Sequence, residues 1–132
     1  MRGMPMETQG LAHRYEPIVA VQRYIRDHIS QPLEHHKLAE MACYSEPHLN
    51  RLFAQSAGVT LAEFIRRERL ERAGRKLRHG AVNITEVALA AGYATHAAFG
   101  KAFKKRYGLS PSLFRDLDCW AATQLLRDKS WR

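Results

Sequence analysis

Apolar residues recur along this chain at spacings of three and four, the period of a helix with one buried face. No stretch of four or more residues alternates apolar with polar in β-branched types, so the pattern predicts an all-α fold. A first helix is expected from Glu16 to about Ser30. Pro17 suits its first turn, Ile18, Val21, Ile25 and His28/Ile29 share one face, and Pro32 stops it. A shorter helix follows from Glu34 to Ala42, with Leu38, Met41 and Ala42 as buried candidates. Ser45 then reads as an N-cap, Pro47 sits in a tolerated first-turn slot, Leu49, Leu52 and Phe53 form an apolar stripe, and Gly58 closes the helix. Thr60 and Glu63 make a capping box, and Val59 is placed to staple onto Phe64. The helix they open is expected to run to about Arg78, with Gly80 beyond it, burying Phe64, Ile65, Leu70, Ala73 and Leu77. Gly74 in its interior costs about 1 kcal/mol relative to alanine unless something packs closely there.

The pattern then starts again. Asn83 and Glu86 form a second capping pair, and Val87, Ala88 and Ala91 supply a small apolar face that ends at Gly92. Thr95 caps a helix carrying Phe99, Ala102 and Phe103, which Gly108 stops. Ser110-Pro111 opens a last helix with Leu113, Phe114, Leu117, Trp120 and Ala121, expected to continue to Leu125 or Leu126 before a frayed tail from Asp128 to Arg132. Laid over each other, residues 38–60 and 87–110 match: Leu38-Ala39 with Val87-Ala88 and, after one extra residue, Ser45 with Thr95, Leu49 with Phe99, Arg51 with Lys101, Phe53 with Phe103, Gly58 with Gly108 and Thr60 with Ser110. Each copy is a short helix, a tight turn and a second helix with a polar N-terminal half. That is the arrangement in which a second helix enters the DNA major groove. The connector between the copies would be about 27 Å long at 1.5 Å per residue, against about 34 Å between successive major-groove faces. Two reading helices roughly one turn apart on one side of a duplex are therefore expected. A tetratricopeptide-like array has a shorter period and needs no such connector.

Charge strengthens this picture. Lys and Arg number 21 against 13 Asp and Glu, a net charge of +8, which favours a polyanionic partner. At 132 residues the chain is about one domain and long enough for a real core. No apolar run approaches the roughly 18 residues that span a bilayer, and residues 1–14 carry no secretory pattern. With only Cys43 and Cys119, and no CxxC, free thiols in a cytoplasmic, nucleoid-associated protein are expected. His35-His36 lacks further ligands at a metal-binding spacing, so no metal or other cofactor is expected. No Ser/His/Asp arrangement, phosphate loop or carboxylate pair suggests an enzyme.

The second unit reads ITEVALAAGYATHAAFGKAFKKRYGLSPSLFR, Ile84 to Arg115, and the first LAEMACYSEPHLNRLFAQSAGVT, followed by Arg69-Leu70, Ala73 and Leu77. These motifs, in this order over roughly residues 15–115, resemble the DNA-binding domain of the AraC/XylS family of bacterial transcription regulators. The resemblance implies base contacts from the exposed N-terminal halves of the two recognition helices: Pro47, Asn50 and Arg51 with Glu46 and His48 nearby, then His96, Ala97, Gly100 and Lys101. Arg51 and Lys101 have the donors for guanine O6/N7, and Asn50 suits adenine. Pro47, Ala97 and Gly100 depart from a hydrogen-bonding pattern, which points the second helix toward phosphates and register. Ser45, Thr95, Lys104 and Lys105 are the expected positioning residues, although simple solvation of Lys104, Lys105 and Arg106 is equally open. The resemblance also makes Arg69 a structural contact, and RNA polymerase a partner by analogy.

The expected organisation is a flexible segment over 1–14, a first helix-turn-helix subdomain over 15–59, a connector helix over 60–79, a second subdomain over 80–115 and a helical extension and tail over 116–132, about seven helices in all. Arg66, Arg67, Arg69, Arg72, Arg75, Lys76 and Arg78 make the connector basic, and for most of them a solvated face is expected. Cys43 is expected where a small apolar residue packs, and Trp120 to pack the last helix onto the second unit. The expected function is that of a transcription regulator, an activator by family analogy, binding double-stranded DNA as a stand-alone monomer. The competing classes are a non-specific or architectural nucleic-acid binder and a helical protein-interaction module.

Overall fold

The computed structural model describes residues 6–79 and 82–128, with side chains from Glu16 onward. Gly80 and residues 129–132 of the expected tail lie outside the described residues, as do the first five of the segment expected to be flexible. The chain forms eight helices among the described residues: α1 (Met6–Asp27), α2 (His35–Met41), α3 (Glu46–Ala57), α4 (Leu61–Leu77), α5 (Ile84–Ala90), α6 (His96–Tyr107), α7 (Pro111–Arg115) and α8 (Cys119–Arg127). It divides between Arg66 and Arg67 into two compact units. None of the described helices is long and apolar enough to cross a membrane.

In the first unit the stripe of α1, Ile18, Val21, Ile25 and Ile29, packs with Leu38 and Ala39 of α2, Leu49, Leu52 and Phe53 of α3, and Leu61, Phe64 and Ile65 of α4. Val59 lies against the same cluster as Phe64, as the staple requires. Helix α1 begins at Met6, not Glu16, and Pro17 sits inside it. The residues ahead of the proline are mostly good helix formers, so the missing N–H is tolerated where the anchoring stripe begins. Met41 turns outward, 44% exposed, and Ala39 takes the buried place in α2.

The second unit is built on Leu70, Ala73 and Leu77 of α4 with Val87, Ala88, Ala91, Phe99, Phe103, Tyr107, Phe114 and Ala122. Phe103 stands at its centre, its ring 5.2 Å from Phe114, 5.6 Å from Phe99 and 4.6 Å from Tyr107, centroid to centroid. Gly74 is explained here: a Cβ on it would come within 2.9 Å of Leu126 Cδ2 on α8. The expected single last helix is broken in two. Asp118 Oδ1 accepts the Ala121 N–H at 2.8 Å and opens α8 as a new helix. The break re-aims the following residues, so Ala122, Leu125 and Leu126 pack on the core while Trp120 stands 74% exposed; Leu113, on α7 before the break, is 60% exposed.

Both units make the same turn after their first short helix. Tyr44 N–H donates to Ala39 O at 2.9 Å, and Tyr93 N–H to Ala88 O at 3.1 Å, each closing a left-handed stop. The left-handed residue is Gly92 (φ 90°) in the second unit but Cys43 (φ 61°) in the first. Cys43 is exposed, contrary to the expected packed position, because its role is set by backbone geometry.

A side chain in this conformation costs on the order of 1 kcal/mol. Gly92→Ala should therefore lower stability by about 1 kcal/mol, whereas Cys43→Gly should raise it by up to that amount, read from urea unfolding midpoints. A second prediction concerns Tyr107, whose hydroxyl is buried without a hydrogen-bond partner among the described residues. Burial pushes its pKa up to about 12, partly opposed by the Arg106 guanidinium. The folded state thus holds this proton to higher pH than the unfolded chain, whose tyrosine titrates near 10.0. The stability contributed below pH ~10 is lost as pH rises through about 12. Tyr107→Phe should flatten that part of the stability-against-pH curve.

Candidate nucleic-acid interface

Helices α3 and α6 are twelve residues each and are built alike. Ser45 Oγ accepts the His48 N–H at 3.3 Å, and Thr95 Oγ1 accepts the Ala98 N–H at 3.0 Å. These caps satisfy first-turn donors that would otherwise have no partner in the helix. At the other ends Gly58 (φ 78°) and Gly108 (φ 84°) stop the helices in the left-handed conformation. Apolar stripes then set the rotation of each helix: Leu49, Leu52 and Phe53 are buried in α3, and Phe99 and Phe103 in α6.

What faces outward follows from that rotation. On α3 the outward face holds the exposed Glu46, Pro47, Asn50 and Arg51, followed by Ala54 and Gln55. They recur at helical spacing and form one face. His48 is half-buried, its ring edge-on to Tyr44 at 4.6 Å, so it borders this face and stacks beneath it. On α6 the equivalent face holds His96, Ala97, Gly100 and Lys101, followed by Lys104 and Lys105. All are exposed except Gly100, which is half-exposed. The sequence reading omitted Ala54 and Gln55; the repeat, which aligns them with Lys104 and Lys105, held the signal for them.

The basic residues separate into two sets. Several are engaged within the fold. Arg78 Nη1 donates to the carbonyls of Phe114 (3.1 Å) and Arg115 (2.8 Å), terminal acceptors of α7, and Arg115 Nη1 donates to Val82 O at 3.1 Å. Arg106 is buried, donates to Asp128 O and stacks over the Tyr107 ring at 4.6 Å. A solvated role for Arg78 and Arg106 is thus corrected: each supplies donors to backbone carbonyls that need them. Arg66 is bound by Glu63 at 2.6 and 2.8 Å, Arg75 lies 3.7 Å from buried Glu71, and Arg69 lies beside Gly92, where a Cβ would meet Nη1 at 3.5 Å. Arg51, Lys101, Lys104 and Lys105 belong to the other set, exposed on the outward faces of α3 and α6.

Two capped helices, each anchored by one apolar face and presenting the other at the same register, define a double helix-turn-helix DNA-binding domain. The comparisons agree. Residues 38–116 match the family model described as a helix-turn-helix domain. The chain is 34% identical over 113 residues to the uncharacterized HTH-type transcriptional regulator YfiF of Bacillus subtilis, covering 86% of this chain and 36% of that protein. It is 32% identical over 92 residues to the HTH-type transcriptional activator AarP of Providencia stuartii, covering 70% of this chain and 68% of the relative. In fold it is similar to the DNA-binding domain of AdpA, a global transcriptional factor solved in complex with a target DNA, with a TM-score of 0.68 at 24% identity over 86% of this chain and 98% of that one. The chain belongs to the AraC/XylS family of bacterial helix-turn-helix regulators. It spans about a third of the length of the Bacillus relative.

The two sets of cations respond differently to mutation. Arg78→Met should cost about 1–3 kcal/mol by leaving two carbonyls without their donor, whereas Lys104→Ala should change stability by less than about 0.5 kcal/mol. Urea unfolding of both variants measures the contrast.

Proposed function

We propose that this protein is a sequence-specific transcription regulator that binds double-stranded DNA through α3 and α6, each lying in its own major-groove segment. The observation that carries this reading is the shared register of the two outward faces. Glu46, Pro47, Asn50 and Arg51 occupy the same helical positions as His96, Ala97, Gly100 and Lys101, each set beginning at a capped N-terminus. The N-terminal half of a recognition helix is the part that meets base edges in helix-turn-helix proteins. Arg51 and Lys101 carry donors for guanine, Asn50 for adenine, and His96 either donates or accepts. Ser45 and Thr95 hold the helix starts, and Lys104 and Lys105 are set for phosphates. His48 contributes by holding its end of α3 against Tyr44.

The connector α4, seventeen residues long, contributes to both cores and is about 25 Å from end to end. The two unlike outward faces support an asymmetric site of two boxes, bound by one copy of the chain. Activation through contact with RNA polymerase is the mode we infer, in line with the activator named among its relatives. The three exposed lysines of α6, with no acidic residue beside them on that helix, favour one competing reading, a binder of DNA without sequence preference.

Selection of bound duplexes from a random library at about 150 mM salt separates the two. Two short enriched boxes roughly one helical turn apart are expected. Binding without enrichment that vanishes as salt rises would leave only the non-specific binder. Within the selected site, Arg51→Ala should cost about 1–3 kcal/mol and relax preference at one position. A uniform loss across all sequences would reassign Arg51 to phosphate.

A further inference from the structure

From Gly58 onward, each glycine whose surroundings are described has a structural reason except Gly100. Gly58, Gly92 and Gly108 have positive φ, and Gly74 makes room for Leu126. Gly100 lies inside α6, where glycine is among the poorest helix formers, and a Cβ built on it meets nothing within 4 Å. No described part of the chain therefore requires a bare backbone there. Yet its position is the middle of the outward face, one helical turn from His96 and Lys104 and three residues from Ala97. The equivalent positions of α3 hold Asn50 and Pro47.

Charge marks the same difference. From His96 to Tyr107 there is no acidic residue, and Lys101, Lys104 and Lys105 are exposed, whereas α3 carries Glu46 in its first turn. A face of low relief ringed by cations admits the DNA closer than a face of long polar side chains does. Its central residues offer no side-chain hydrogen bond. The apolar feature that a major groove presents to such a surface is the thymine C5-methyl group.

We propose that α6 reads thymine by close approach: Gly100 and Ala97 pack on C5-methyl groups while Lys104 and Lys105 hold the flanking phosphates, which adds methyl recognition to the donors of His96 and Lys101. This rests on the DNA-binding reading above and adds a chemistry and a specificity-determining residue to it. Gly100 is bare because DNA, and no described residue of the protein, occupies the space beside it.

The test uses the full chain and a duplex recovered from the library selection. Arg51→Ala first identifies the box read by α3, and deoxyuridine then replaces thymine box by box. In the other box each contacted methyl removed should weaken binding about fourfold, the worth of one buried methylene, and substitution in the α3 box should matter much less. Gly100→Ala should weaken binding to the thymine duplex about tenfold or more by forcing the helix away. Its thermal midpoint should nevertheless rise by about 4 °C through better helix propensity, so the loss is not unfolding. It should also lose sensitivity to deoxyuridine in that box. Undiminished affinity of Gly100→Ala, or no effect of deoxyuridine in the second box, overturns this proposal while the selected boxes keep the regulator reading intact. Recovery of a single box, the one Arg51 reads, also overturns it. A selection that enriches no sequence takes down both.

Discussion

The interface depends on burial of one apolar stripe on each recognition helix. Leu49 and Phe53 on α3 and Phe99 and Phe103 on α6 are fully buried, each pair four residues apart on its helix. A buried aromatic or leucine side chain is worth about 1.5–3 kcal/mol relative to exposure, so rotating either helix to submerge its outward face would forfeit several such contributions. Everything exposed on α3 and α6 is thereby placed without any direct interaction of its own. Caps at Ser45 and Thr95 and left-handed stops at Gly58 and Gly108 fix where each helix begins and ends, which sets the register along the axis. Rotation and register together turn a row of polar side chains into a surface that can be aligned with base edges.

The same economy governs charge. A net charge of +8 suggests a basic cloud, but the fold withdraws much of it into structural work. Arg78 and Arg115 satisfy carbonyls at α7 and at Val82, Arg106 lies over Tyr107, and Arg66 is gripped by Glu63. Exposed cations with access to an external anion then include Arg51 on α3 and three lysines on α6. Arginine does most of the internal work because its planar fork can donate to two carbonyls at once, and lysine is left on the surface. The two units share an architecture yet differ in chemistry: one outward face is mixed and polar, the other basic and flat.

Departures from the expected helices occurred where two local signals competed. Apolar spacing across Leu113, Leu117 and Ala121 reads as one continuous helix, but Asp118 captures the Ala121 N–H and starts a new one. Once that cap forms, Trp120 is carried outward and Leu126 inward over Gly74. At the other end Pro17 resembled a helix start because its missing N–H suits a first turn, although the helix continues upstream to Met6. Met41 and Cys43 were misjudged for another reason. The left-handed turn between α2 and α3 swings both out, and the residue that would announce such a turn, a glycine, is present only in the second copy at Gly92.

The amino-acid order by itself determined the helical class, the duplicated helix-turn-helix, the caps and stops of α3 and α6, and which positions in the N-terminal halves of those helices face outward. These are consequences of spacing and short-range hydrogen bonding, which a linear pattern records directly. Only the tertiary structure decided which arginines serve the fold, why Gly74 must be small, and that no described residue fills the space beside Gly100. Those depend on atoms brought together from distant positions: Arg78 meets a carbonyl 36 residues away, and no periodicity encodes that meeting.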